Sequence, residues 1–410
     1  MLTAIAPVRS LLLSIFVMMA GSGFMSTLVG LRLTAGGLPA VLVGAVATAY
    51  FVGLAVGALK AGLVISSVGH IRAFAAFVSL LSATTLAYAL VQHPLVWAAL
   101  RFADGLCVAG VYVCLESWLN ARAEPRRRGT VLAAYMIALY AGQALGQFLL
   151  NLSDAKPSAP FVVASMLISL AVIPVALTRG ASPAFGEAPM LSIPHLFAIS
   201  PLGVAGAATT GLMMGGFYGL GAVYARLVGL DVAATASFMS AVIFGGVALQ
   251  WPVGWLSDKF DRRRVITLSL AGVAAISAGV ALSSATGVAL LALGGLFGGL
   301  CFALYPLCVA HTNDHLDSAQ RVAASGGLVM IYSLGAAVGP VAGGAAMSAF
   351  GARGLFLFFA LCALAGLAFA IWRHWSSAPV PPELQQDFQT LPRTTPMAAA
   401  LDARGDDAND

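Results

Sequence analysis

Twelve stretches of about twenty mostly apolar residues, separated by short polar interruptions, dominate this sequence. They fall at roughly 11–33, 41–65, 72–92, 95–118, 130–151 and 159–178, then at 200–223, 233–256, 265–284, 288–310, 322–348 and 354–374. A bilayer's hydrocarbon core takes about 20 residues of helix, and within it every backbone N–H and C=O must be paired inside the chain. The pattern therefore predicts an all-α polytopic membrane protein with twelve transmembrane helices. The first run is longer than a signal-peptide core and is soon followed by a second, so it reads as a retained helix. Composition agrees: 60% of the 410 residues are apolar and 9% charged, against about 45–50% and about 25% in soluble domains. That balance excludes a soluble enzyme, a disordered protein and a nucleic-acid binder.

The six-plus-six spacing predicts an N-terminal six-helix bundle over 1–178, a cytoplasmic linker over 179–198 and a C-terminal six-helix bundle over 199–375. The remainder, 376–410, carries Pro379, Pro381, Pro382 and an acidic end. It reads as a disordered cytoplasmic tail. Twelve spans put both termini on one side. With the N-terminus inside, fifteen Arg and Lys fall on inside segments and four (Arg32, Lys156, Arg226, Arg353) on outside ones, a strong positive-inside bias. The expected location is a bacterial inner membrane with both termini cytoplasmic.

The lysines are Lys60, Lys156 and Lys259, and none follows a Gly-x-x-x-x-Gly spacing. The phosphate cradle of an ATP-driven pump is therefore missing. Cys107, Cys114, Cys301, Cys308 and Cys362 all lie in apolar runs. Residues seven apart on a helix are about 10 Å apart along its axis, too far for a disulfide, so these read as buried small hydrophobes. No nucleophile–base or metal-ligand constellation is evident, so neither an enzyme, a cofactor nor a metal is expected. His311, Asp314 and His315 read as polar residues at a helix end.

The two halves repeat at a shift of about 192–194 residues. Gly105-Leu106-Cys107 with Cys114 matches Gly299-Leu300-Cys301 with Cys308; Arg128, Tyr140, Gly142 and Gly146 match Arg321, Tyr332, Gly335 and Gly339; Gly62 and Ser66 match Gly254 and Asp258. Parallel six-helix repeats place a solute site at their interface near the midplane, with rocking between halves giving alternating access.

Gly254-Trp255-Leu256-Ser257-Asp258-Lys259-Phe260-Asp261-Arg262-Arg263-Arg264 resembles the G-x-L-x-D-R-x-G-R-R signature of the major facilitator superfamily, with Lys259 in the first Arg place and Asp261 in the Gly place. Arg101-Phe102-Ala103-Asp104-Gly105 resembles its R-x-x-x-G motif on span four. Gly335 to Gly344 matches G-x-x-x-G-P-x-x-G-G on span eleven. The antiporter form belongs on span five, where this chain has Gly142-Gln143-Ala144-Leu145-Gly146-Gln147. Gly69 to Phe74, Glu116-Ser117-Trp118-Leu119-Asn120 and Tyr305 to His311 resemble the YcaD-like branch. The resemblance covers about 10–375 and implies a secondary transporter without naming its cargo.

Arg101 and Asp104 share a face of span four at mid-depth, where ionisable groups meet a partner or an aqueous cavity. They and Glu116 are the candidates for proton coupling or solute contact, Glu116 with Lys60, Arg122 or the 126–128 cluster as its expected partner. Further cavity candidates are Phe24, Tyr112, Gln143, Gln147, Tyr218, Gln250, Trp251, Tyr305 and Tyr332. Gating candidates are Gly254, Asp258, Arg262, Arg263, Gly335, Gly339 and Pro340; the resemblance makes Asp258 a latch toward the N-terminus of span five. Expected partners are a small-molecule substrate, protons and the lipid bilayer, with the protein a monomer and no nucleic acid. Uptake of a metabolite or anion is slightly favoured; efflux of an amphipathic compound by proton antiport and a non-transporting receptor or scaffold are the alternatives.

Overall fold

Every apolar run forms helix, because a chain without water to bond its backbone must satisfy it locally. The computed structural model describes residues 6–124, 127–153, 156–178, 190–283, 285–376, 385 and 388–395. Among these described residues, ten helical segments are long and apolar enough to cross a membrane. The last of them, Gln320–Trp375, holds two helices separated at Gly351, and Pro201–Leu227 is of membrane length though richer in glycine. We label the helices α1 (Arg9–Ala35), α2 (Ala40–Val68), α3 (His70–Leu90), α4 (Pro94–Arg122), α5 (Arg128–Gly146), α6 (Ala159–Ala176), α7 (Pro201–Leu227), α8 (Val232–Lys259), α9 (Arg262–Leu282), α10 (Gly287–Asn313), α11 (Ser318–Phe350) and α12 (Gly354–Ser376). Pro94 and Pro201 sit in the first turns of α4 and α7, where the missing N–H costs nothing. α1 is interrupted at Gly23–Phe24, beside Gln147, whose side-chain amide donates to the Gly23 carbonyl at 3.2 Å.

The sequence repeat is also a packing repeat. Gly142 and Gly146 bring α5 against the Phe16 and Ala20 carbonyls of α1, and Gly335 and Gly339 bring α11 against the Ala208 and Leu212 carbonyls of α7. Likewise Gly53 and Gly105 close α2 onto α4, while Gly245 and Gly298 close α8 onto α10. In each case a Cβ would overlap a backbone carbonyl of the facing helix, the small-residue contact that membrane helices use in place of hydrophobic drive.

The halves meet mainly through α2 with α11, and further through α7 with α1 and α2 and through α5 with α8. Gly44 lies on the Pro340 carbonyl, Gly344 on Ala40, and the Thr48 hydroxyl donates to the Ala337 carbonyl at 2.6 Å. Ser240 of α8 donates to the Ala144 carbonyl of α5 at 2.8 Å. These contacts lie toward the end of the bundle where α2 begins and α11 ends, opposite the arginine-rich loops.

Two expectations change. The linker over 179–198 is partly ordered: residues 190–192 lead into a short helix Ile193–Ile199, and the Leu191 N–H donates to the Ala323 carbonyl of α11 at 2.9 Å. The rest of it, 179–189, lies outside the described residues. Within the tail expected to be disordered, residues 388–395 lie inside the bundle between the halves, with Leu391, Arg393 and Thr395 buried; residues 396–410 lie outside the described residues.

Candidate functional site

Span four carries the site's charge. Asp104, 2% exposed, accepts hydrogen bonds from Thr84 at 2.6 Å and Tyr88 at 2.7 Å, and lies 3.5 Å from Arg101. Thr84 and Tyr88 sit four apart on α3, so one face of that helix supplies both donors. Arg101 in turn donates to Ser26 and stacks its guanidinium over Tyr50, 4.3 Å from the ring centre. The pair is thus charge-balanced, and its hydrogen bonds offset the cost of burying it. Sequence reasoning found Arg101 and Asp104 but missed Ser26, Tyr50, Thr84 and Tyr88; the four-residue Thr84–Tyr88 spacing on a neighbouring span was the available signal.

Three turns further along α4, Glu116 is fully buried. The basic partner expected for it is not what the structure gives. Tyr135 of α5 donates to it at 2.9 Å, and Thr394 and Thr395 of the inserted segment donate to its two oxygens. Lys60 is exposed, and Arg122 reaches the Pro7 carbonyl and the Trp118 ring. Among the described residues Glu116 makes no salt bridge.

Beside the Arg101–Asp104 pair lies a central cavity, separated from Glu116 by Thr394. Its walls include Met19, Tyr50, Tyr112, Tyr140, Gln143, Tyr218 and Tyr332 with Arg101 and Asp104, and Arg393 and Thr394 enter it. The lining crosses both halves: the Tyr218 hydroxyl of α7 donates to Gln143 of α5 at 3.3 Å. Of the cavity candidates read from the sequence, Tyr112, Gln143, Tyr218 and Tyr332 line it. Phe24, Gln147, Gln250 and Tyr305 are buried behind the lining, Tyr305 edge-on to Tyr332 with ring centres 5.4 Å apart. Trp251 is misplaced by the sequence reading: it is 71% exposed on the outer surface of α8. Neighbouring helix positions point about 100° apart, so burying Gln250 turns Trp251 outward.

The arginine-rich end of α8–α10 is held by charge. Arg262, 1% exposed, grips Asp314 through two bonds of 2.7 and 2.6 Å and reaches Asp258 at 3.2 Å. Asp258 also accepts the Phe388 N–H at 2.8 Å. Asp314, read from sequence as an ordinary helix-end residue, is therefore Arg262's principal partner, and no cluster able to hold a metal occurs among the described residues. Asp261, which takes the motif's glycine place, caps α9 by accepting the Arg263 N–H at 3.0 Å. Burial alone would raise its carboxyl, but the side-chain and backbone hydrogen bonds of Arg263 hold it below the usual carboxylate range. The cap is therefore fully present at neutral pH and is lost only under strong acid. Gly335 and Gly339, expected to gate, pack α11 on α7 within one half; Pro340, with Ala337 and Gly344, is where that motif meets the other half.

A family model described as the Major Facilitator Superfamily matches residues 11–298 and 204–401. An MFS-type transporter YcaD from Escherichia fergusonii is 31% identical over 338 residues, covering 82% of this chain and 87% of that protein. Its namesake in Salmonella arizonae is 29% identical over 342 residues, covering 83% and 88%. Among solved structures, the nucleoside transporter NupG superposes with a TM-score of 0.75 at 15% identity, covering 91% of this chain and 99% of that one. A bacterial homologue of the human lysosomal transporter Spinster, inward-facing and occupied, gives 0.75 at 15% identity, covering 92% and 97%. With the motif on α8, the paired helix packing and a family match spanning nearly all of the described bundle, the chain belongs to the major facilitator superfamily, as a membrane transporter and not an enzyme.

Proposed function

We propose that this transporter moves a small organic solute across the bacterial inner membrane by alternating access coupled to protons, as a monomer with both termini cytoplasmic. The observation that carries the reading is a central cavity, walled by both halves, that holds one charge-balanced carboxylate and is separated by Thr394 from another without a counter-charge. Asp104 already has Arg101. Glu116 meets only hydroxyl donors, so neutralising it takes a proton or a cationic solute. The halves touch closely at one end, while at the other a chain segment lies between them, as a carrier closed on one side requires. The pairing of Arg101 also removes the charge that would favour an anion, and uptake and efflux stand equal on this geometry.

The test is uptake into proteoliposomes of solutes first selected by thermal shift on the purified protein, with and without an imposed pH gradient. Gradient-driven uptake is expected to fall at least tenfold in Glu116→Gln while solute exchange without a gradient persists. Full gradient dependence in that variant contradicts coupling through Glu116. No uptake or exchange of any stabilising solute, with intact folding, contradicts transport itself and favours a receptor.

A further inference from the structure

The segment 388–395 follows α12 and lies between the two halves. Its backbone is anchored where α8 ends: the Phe388 N–H donates to Asp258, and the Phe388 ring packs on Gly254 so closely that a Cβ there would overlap it. Leu391 is buried. Arg393 is 8% exposed, its guanidinium carbon 4.1 Å from the Phe302 ring centre and 5.5 Å from that of Tyr332. Tyr140, Tyr218 and Cys301 are its other close titratable neighbours; the Tyr218 hydroxyl faces the guanidinium, and neither terminal nitrogen makes a hydrogen bond of full geometry. Thr394 and Thr395 then cover Glu116. With the segment in place only about 100 Å³ of the cavity remains free.

The charges balance in a specific way. Arg101 cancels Asp104, leaving Glu116, just beyond Thr394 at the cavity's edge, as a carboxylate with no counter-charge among the described residues, and the inserted segment brings one cation. Aromatic faces attract a desolvated cation through the ring quadrupole and offer an anion nothing comparable. The peptide cannot bring its guanidinium to Glu116, because the adjoining threonines occupy that carboxylate; a free solute is under no such restriction. The chain between Ser376 and Phe388 is long enough to reach, since twelve extended residues span about 40 Å.

We propose that the cavity is built for a small organic cation, of guanidinium or ammonium type, and that the C-terminal segment holds Arg393 in the cation's place as a tethered competitor. This rests on the transport reading above and names its substrate class. A tethered occupant acts at an effective concentration in the millimolar range, so a free cation must displace it.

The test is titration of the purified full-length chain with benzylguanidinium, benzoate and benzyl alcohol, three probes of one ring with positive, negative and no charge. Arg393→Ala is expected to bind benzylguanidinium at least tenfold more tightly than the unaltered chain, and Arg393→Lys is expected to restore the weaker binding. Adding Glu116→Gln to Arg393→Ala is expected to abolish the gain, and benzoate is expected to bind none of these proteins. Benzoate or benzyl alcohol binding Arg393→Ala as tightly as benzylguanidinium overturns the cation site. Affinity within twofold of the unaltered chain, with the thermal unfolding of Arg393→Ala unchanged, overturns the competitor. Movement of the two halves is read separately by spin labels, so failure here with that movement intact leaves the transport reading standing.

Discussion

Gly44→Leu is expected to hold the two halves apart at the end opposite the arginine-rich loops. Even a single carbon at Gly44 would overlap the Pro340 carbonyl, and backbone on the facing helix cannot rotate aside. Gly344 against Ala40 repeats the constraint four residues along α11, and the Thr48–Ala337 hydrogen bond depends on the same approach. Overpacking of a close contact costs about 1–3 kcal/mol, and every 1.4 kcal/mol changes an equilibrium tenfold, so the closed-to-open ratio at this end should drop by about five- to a hundredfold. A cysteine at Thr48, in this background, is expected to react with a membrane-impermeant maleimide at least tenfold faster than in the parent. Equal rates would show that the α2–α11 seam is not a gate. Gly335→Leu is a useful contrast, because it disrupts packing within one half and should lower stability without opening that seam selectively.

Arg262→Ala is expected to produce the largest loss of stability of any single charge removal. It removes the guanidinium that binds Asp314, whose side chain is 1% exposed, and the partly exposed Asp258. Removing one member of a buried ion pair costs about 3–5 kcal/mol, because the other charge is left without compensation. In Arg262→Ala/Asp314→Ala the buried carboxylate is gone as well, so the double variant should be more stable than Arg262→Ala alone, measured by thermal unfolding in detergent. Additive losses would mean that the two groups are not coupled. Arg263→Ala should cost much less, since its partner Asp261 sits at a half-open helix cap.

How far the sequence reveals this molecule depends on the range of each interaction. Apolar runs dictate helices because the bilayer leaves the backbone no alternative, and they were legible without a structure. The repeat was legible because the glycines at 142, 146, 335 and 339 are fixed by close backbone contact, which tolerates no side chain. Facing was harder to read. In lipid both sides of a helix are apolar, so α8 gives no polar stripe to separate buried Gln250 from outward Trp251. Partnerships across long separations were not legible at all. Arg262 and Asp314 are 52 residues apart, and Glu116 meets Thr394 across 278. The inserted segment was hidden for a related reason: a polar, proline-containing stretch cannot build a core of its own, but this one borrows the aromatic walls of the cavity. The family motif likewise gave no warning that Asp261 would serve as a helix cap in place of glycine.

The central claim is that α2 and α11 act as levers between matched halves, closing one end of the cavity as the other opens. Spin labels at Pro39 and Phe350 report the end that is closed in this structure, and labels at Ser67 and Gln320 report the arginine-rich end of the same two helices. Distance distributions measured in lipid nanodiscs are expected to show two populations at each pair, shifting in opposite directions when Gly44→Leu is introduced. A single unchanged distance at both pairs, in the parent and in the variant, would contradict alternating access in this chain.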